Sequence, residues 1–172
     1  MDFELETDRF YLRKFLEEDA TDLFELDSDP EVHRFLGNNP VTSIEQCQKV
    51  IQMVQKQYED FGIGRWAVID KETGEHLGWS GLKYERELRD FPYYDLGYRL
   101  KRKHWGKGIA TETAKAALRY GFETMGLEKI HAAADVEHQV SNHVLQKVGM
   151  KWVEQFDYDG PCNWYELRSS KY

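Results

Sequence analysis

Gly106 and Gly108 stand one residue apart, with Lys107 between them and Arg102 and Lys103 just upstream. A stretch with helical periodicity follows at once. Glycine loses more backbone freedom than any other residue. It is kept where the chain must turn tightly or let something approach the main chain. A helix beginning there presents unpaired amides and the positive end of its dipole. A strand end, a glycine turn and a helix start together form a pyrophosphate site. Two other phosphate loops are excluded. A Walker loop needs a Gly-Lys pair followed by Ser or Thr, and Lys107 is followed by Gly108. A dinucleotide fingerprint needs a third glycine where Thr111 stands, and hairpins precede the motif. The plain alternative is a glycine turn that binds nothing; three flanking cations argue against it.

The elements that must position this turn follow with short connections and no linker or repeat. Residues 9–16 alternate as a strand, and residues 17–29 form a short amphipathic helix ending near Asp27. Asp29, Pro30 and Gly37 have the types of an N-cap, a first helical residue and a stop, predicting a second helix. Ser43 and Gln46 form a capping box for a third, with Val50, Ile51, Val54, Tyr58 and Phe61 at helical spacing and Gly62 at its end. Residues 65–70 and 76–84 read as a hairpin, and 92–100 as another strand. The helix after the glycine turn carries Ala110, Ala114, Ala117, Leu118, Gly121 and Met125 on one side and is capped at Gly126-Leu127. A buried strand at 129–135, a helix at 141–149, and two strands joined around Asp159-Gly160-Pro161 complete the order. The chain is thus expected to be one α/β (α+β) domain over 1–172, with a mixed sheet of about seven strands and about four helices.

With 172 residues, 41% hydrophobic and 31% charged, the composition is that of a soluble globular domain. The N-terminus has no basic-then-apolar signal pattern, and Cys47 and Cys162 are read as reduced thiols, so a cytoplasmic location is expected. The net charge of −8 favours cationic partners and disfavours nucleic acid, and no run is long enough for a membrane span. No histidine and cysteine cluster has metal-ligand spacing, so no metal is expected.

Residues 95–122 resemble the central motif of the GNAT superfamily of N-acetyltransferases, which use acetyl-CoA. The family's loop pattern is Q/R-x-x-G-x-G/A; here it is Lys103-His104-Trp105-Gly106-Lys107-Gly108, with lysine first. Followed by Ala110-Thr111-Glu112, the string is most similar to the branch that acetylates ribosomal-protein N-termini. That branch's later signature is partly present at His138-Gln139-Val140-Ser141 and at 144–150, with His138 where relatives carry asparagine.

The resemblance implies a mostly antiparallel sheet with one splayed strand pair. It implies acetyl-CoA held by the strand at Gly97, Tyr98, Arg99 and Leu100 and by the loop at Lys103, Trp105, Gly106, Lys107, Gly108, Ile109 and Ala110. His138 would contact the pantetheine arm, or Asn142 would compensate. Ser141 is the implied general acid, with an N-cap role as its structural rival. Tyr165 is the backup proton donor, or else a core aromatic with a wet hydroxyl. Asp95 is the implied base, or a plain surface residue. Glu112 is assigned to the helix dipole.

The acceptor would enter at the other mouth of the splay, between the early helices, residues 86–94 and the last hairpin. Asp90, Asp95, Asp157 and Asp159 with Phe91, Tyr93, Tyr94, Tyr158 and Trp164 there suit a cationic amine. A ribosomal-protein N-terminus, a polyamine and an amine antibiotic all fit, on a monomer or homodimer. A non-catalytic acyl-CoA-binding sensor is the alternative from another class.

Overall fold

The computed structural model describes all of residues 1–172. Eight strands form one sheet: β1 (Leu5–Glu6), β2 (Phe10–Arg13), β3 (Trp66–Asp70), β4 (His76–Glu85), β5 (Tyr93–Leu100), β6 (Lys129–Asp135), β7 (Lys151–Asp157) and β8 (Pro161–Arg168). Their order is β1-β2-β3-β4-β5-β6-β8-β7. The helices are α1 (Ala20–Asp27), α2 (Ile44–Phe61), α3 (Ile109–Arg119) and α4 (Gln139–Lys147). None is long and apolar enough to cross a membrane. The expected class holds, and four of the five segments read as helical form α-helices. The extra strand is β1, whose two residues are too few to show an alternation.

Alternation along the strands divides the core. Ala67 and Ile69 of β3 face α1 and α2, joining Leu23, Leu26, Ile51 and Val54. Trp66 and Val68 face the other way, where Ile109, Ala117, Leu118 and Leu145 come from α3 and α4. Helix α2 has the capping box at Ser43 and Gln46 and ends at Gly62 with φ 73°. Its buried stripe is Cys47, Ile51 and Val54, whereas Val50 turns outward.

The helix predicted after Asp29 does not form. Residues 30–37 make successive three-residue turns instead, with Val32 N donating to Asp29 O (3.1 Å) and Leu36 N to His33 O (3.0 Å). The punctuation was real: Asp29 Oδ1 accepts from the Glu31 amide at 3.0 Å, and Gly37 ends the segment at φ 86°. But the two buried residues, Val32 and His33, are adjacent. An α-helix buries residues three or four apart.

Every neighbouring pair of strands is antiparallel except β5 and β6, which are parallel and meet at a single rung, Asp95 opposite His131. By contrast, β4 and β5 share eight rungs. Beyond Asp95 the two parallel strands diverge, which is the splay the sequence led us to expect. Buried Arg65, just before β3, secures β5 at that point. Its Nη1 donates to Gly81 O (2.6 Å) and Asp95 O (2.5 Å), and its Nη2 to Asp95 Oδ2 (2.5 Å). The guanidinium lies flat on Gly97: a Cβ there would stand 2.7 Å from Nη2.

Gly97→Ala should therefore lower stability by about 1–3 kcal/mol through overpacking against a buried charge. Gly97 has no left-handed φ, so backbone strain plays no part. Thermal unfolding of the two proteins measures the difference, and an unchanged midpoint would mean that Arg65 has room to move.

Candidate active site

The glycine turn is built by what surrounds it. After Leu100 ends β5, residues Arg102–His104 form one tight helical turn. The Trp105 indole then donates to Leu100 O at 2.9 Å, tying the loop back to the strand. Gly106 and Gly108 have φ of 75° and 74°, where other residues are strained. No protein acceptor engages the backbone amides of residues 106–111. A Cβ on Gly106 would meet nothing within 4 Å, and one on Gly108 only Arg9 Nη2 at 3.6 Å. The glycines supply a backbone conformation and leave the loop's outer side open. Ile109 is buried beneath the loop and Ala110 half-buried, so what each leaves open at the loop is its amide.

The nearby cations divide. Lys103 pairs with Glu75 (2.9 Å) and Glu25 (3.1 Å), and Arg102 with Asp29 (2.9 Å). These two brace the loop against α1, the segment after it and the β3–β4 turn. Lys107 makes no ion pair. Arg9, from β2's leading edge, lies beside Gly108 and pairs with Glu112 Oε1 at 2.7 Å. Glu112 Oε2 also accepts from Thr7 Oγ1 at 2.6 Å, so Glu112 moors the N-terminal strands to α3. Nothing near Arg9 in sequence marks it as part of this loop. It reaches the loop through tertiary packing alone.

Across the splay, Tyr98 from β5 meets α4. Its hydroxyl lies 3.0 Å from Ser141 O and 3.1 Å from Ser141 Oγ. Burial pushes the Tyr98 phenol above its ordinary range, and the bond to Ser141 partly opposes this. Ser141 is inside α4, whose N-cap is His138, so the N-cap reading of Ser141 is corrected. The His138 ring stacks on Phe35 at 4.7 Å and 18°, and burial holds it below the usual histidine range.

Asn142 and Tyr165 have other occupations than those expected. Asn142 Nδ2 donates to Asp135 O (2.9 Å) and His138 O (2.8 Å). Its Oδ1 accepts from Asn163 Nδ2 (2.9 Å) and the Tyr165 hydroxyl (2.7 Å). All four of its bonding positions are filled by protein, which leaves none for pantetheine. Tyr165 is 1% exposed and gives its proton to Asn142, so its hydroxyl is neither wet nor an open proton donor. The pair locks β6, α4 and β8 together.

The acceptor was expected on the opposite face. Asp95 is not a plain surface residue: its side chain is 14% exposed and salt-bridged to Arg65. Burial pushes its carboxyl up, and the Arg65 guanidinium pulls it back. Arg99, on the same face, donates from Nη1 to Asp27 Oδ1 at 2.7 Å and lies over Trp79. Of the expected aromatic rim, Phe91, Tyr93 and Trp164 cluster, with Phe156 beside them, and they already hold a cation; Tyr94 lies against Tyr84 and packs into the main core. The Arg89 guanidinium lies 4.4 Å from the Phe156 centroid, 4.6 Å from Trp164 and 5.5 Å from Phe91, with Nη2 2.6 Å from Glu154. Asp159 reaches Gly37, so the last hairpin touches the segment before α2. Cys47 and Cys162 are free.

A model of the acetyltransferase (GNAT) domain matches residues 9–151. The N-acetyltransferase p20 of Bacillus licheniformis is 33% identical over 147 residues, covering 86% of this chain and 82% of that protein. The protein YkkB of Bacillus subtilis (strain 168) is 31% identical over 167 residues, covering 96% and 95%. The crystal structure of a GNAT-family acetyltransferase from Bacillus anthracis matches with a TM-score of 0.81 at 25% identity, covering 96% of this chain and 98% of that one. A chain with this splayed sheet and these matches belongs to the GNAT family of acetyltransferases.

Proposed function

We propose that this protein moves an acetyl group from acetyl-CoA to a primary amine by direct attack, with no covalent enzyme intermediate. The observation that carries the reading is the run of unpartnered amides at 106–111, opening next to a strand edge that β6 leaves unpaired. Such a turn fits a pyrophosphate, with Lys107 and Arg9 as the nearby cations. The free edge of β5 from Gly97 to Leu100 suits an amide-bearing pantetheine arm and polarises a thioester carbonyl. His138, at the N-cap of α4, borders that arm. Ser141 Oγ, hydrogen-bonded to Tyr98, supplies the proton for the departing thiolate, with Tyr98 able to relay it. Tyr165 and Asn142 hold this wall in place. Asp95 stabilises or deprotonates the incoming ammonium from the other face.

The acceptor class rests on likeness and charge. The spermidine N(1)-acetyltransferase of Escherichia coli (strain K12) is 25% identical over 139 residues, 80% of this chain and 70% of that protein. Ribosomal L7/L12 alpha-N-protein acetyltransferase shares the fold with a TM-score of 0.79 at 17% identity. A net charge of −8 steers cations of either kind, polyamine or peptide N-terminus, toward the protein.

Three outcomes are expected. Incubation with acetyl-CoA and a panel of spermidine, Ala- and Ser-terminated peptides and amine antibiotics should release thiol with at least one acceptor. Calorimetric binding of coenzyme A without thiol release from any acceptor would support the sensor instead. Gly108→Val should weaken coenzyme A binding by about tenfold or more, because it strains a left-handed turn and fills the open side of the loop. Equal affinity would move the pyrophosphate elsewhere. Ser141→Ala should lower kcat by about 100-fold with the acetyl-CoA KM little changed, the mark of a lost proton donor.

A further inference from the structure

His33, in the turns at 29–37, forms a buried pair with Asp27 at the end of α1, and the proposed transfer gives that pair no role. Asp27 Oδ1 receives both Arg99 Nη1 (2.7 Å) and His33 Nε2 (3.0 Å). Asp27 is 8% exposed and His33 7%. With Nε2 donating to Asp27, the neutral imidazole keeps its lone pair on Nδ1. Nδ1 is buried and has no partner, a costly state for a group with no task.

Two neighbours locate it. Arg99, which holds Asp27, is the next residue along β5 from Tyr98, the residue that faces Ser141. Two residues beyond His33, Phe35 stacks on His138 at the head of α4. The main chain from His33 to Phe35 therefore runs from one wall of the splay to the other, above the gap between β5 and α4. An acceptor entering from the α1–α2 side must pass beneath it. Asp95, the other base on that face, has Oδ2 engaged by Arg65.

We infer that His33 Nδ1 takes the proton from the acceptor ammonium, with Asp27 and Arg99 as positioning residues; this rests on the acetyl transfer proposed above. R–NH3⁺ gives one proton to Nδ1 and becomes R–NH2. Its nitrogen lone pair forms the C–N bond to the acetyl carbon, and the C–S bond breaks with its electron pair left on sulfur. The nitrogen sheds its second proton, the thiolate takes one from the Ser141–Tyr98 pair, and His33 and that pair exchange protons with solvent. The sum is amide, thiol and one released proton. Because Nδ1 is buried in this structure, the step requires the 29–37 turns to part from α4 as the acceptor binds. The ionisable groups that act on the pair are Arg99 on β5, bonded to Asp27, and Cys47 on α2, which feels the Asp27 charge. The Cys47 thiol, pushed up to about 11 by burial and then by Asp27, stays neutral through the working range.

Two measurements test this. Long-range proton–nitrogen NMR on the ¹⁵N-labelled protein, with the His33 signals identified by their loss in H33N, should show at pH 8 a protonated Nε2 and a bare Nδ1. A protonated Nδ1 there would overturn the assignment. With the best acceptor from the panel, H33N should lose about 100-fold or more in kcat/KM and lose the acidic limb of its pH profile, while coenzyme A affinity by calorimetry stays unchanged. D27N, which keeps the imidazole but not its anchor, should lose less and shift that limb to lower pH, and it decides the matter if H33N does not fold. An H33N enzyme within threefold of wild type sinks this inference alone. A wild type silent toward every acceptor sinks the transfer reading and this inference with it.

Discussion

One rung decides the architecture of this protein. Strands β5 and β6 run parallel and touch as a ladder only where Asp95 faces His131. Backbone amides and carbonyls left unpaired inside a protein cost free energy, so a sheet does not part at its centre without cause. Here each strand is held by its other neighbour. β5 shares eight rungs with β4, and β6 seven with β8. Arg65 fastens β5 on one face, and the Tyr98–Ser141 contact props the gap on the other. The opening is thus part of the fold, with polar main-chain groups along its edge.

The glycine turn at the end of that edge shows a division of labour among charges. Lys101, 3% exposed, meets Asp22 and Glu25 at 2.8 and 2.9 Å, and Lys103 and Arg102 meet Glu25, Glu75 and Asp29 nearby. These pairs pin α1 and the segment after it to the end of β5. They brace the loop and leave its amides, with Lys107, without protein partners. In a strongly acidic protein the groups this loop turns outward are thus mainly main-chain dipoles, because most of the nearby cations are engaged in bracing.

What the sequence disclosed and what it hid have separate physical causes. Local rules were reliable where the determinant is local: the capping box at Ser43, the left-handed caps at Gly62 and Gly126, and the strand-to-helix turn at Gly106 and Gly108. They failed where a long-range contact decides. Residues 30–37 have the right punctuation for a helix, but His33 is drawn to Asp27 and the turns stay open. Residue type also left side-chain duty open. Tyr165 and Asn142 have the chemistry of a site, yet they satisfy each other in the core. Arg9 and Arg89 have no motif around them, and each comes to its place through tertiary packing.

On the proposed reading, the amides bared between residues 106 and 111 hold a diphosphate. Backbone proton–nitrogen NMR can test it without knowledge of the acceptor. Added coenzyme A should shift the Gly106, Gly108 and Thr111 amide signals strongly downfield, while pantetheine, which lacks the diphosphate, should leave them in place and perturb β5. Coenzyme A binding that left those three signals unmoved would contradict the account.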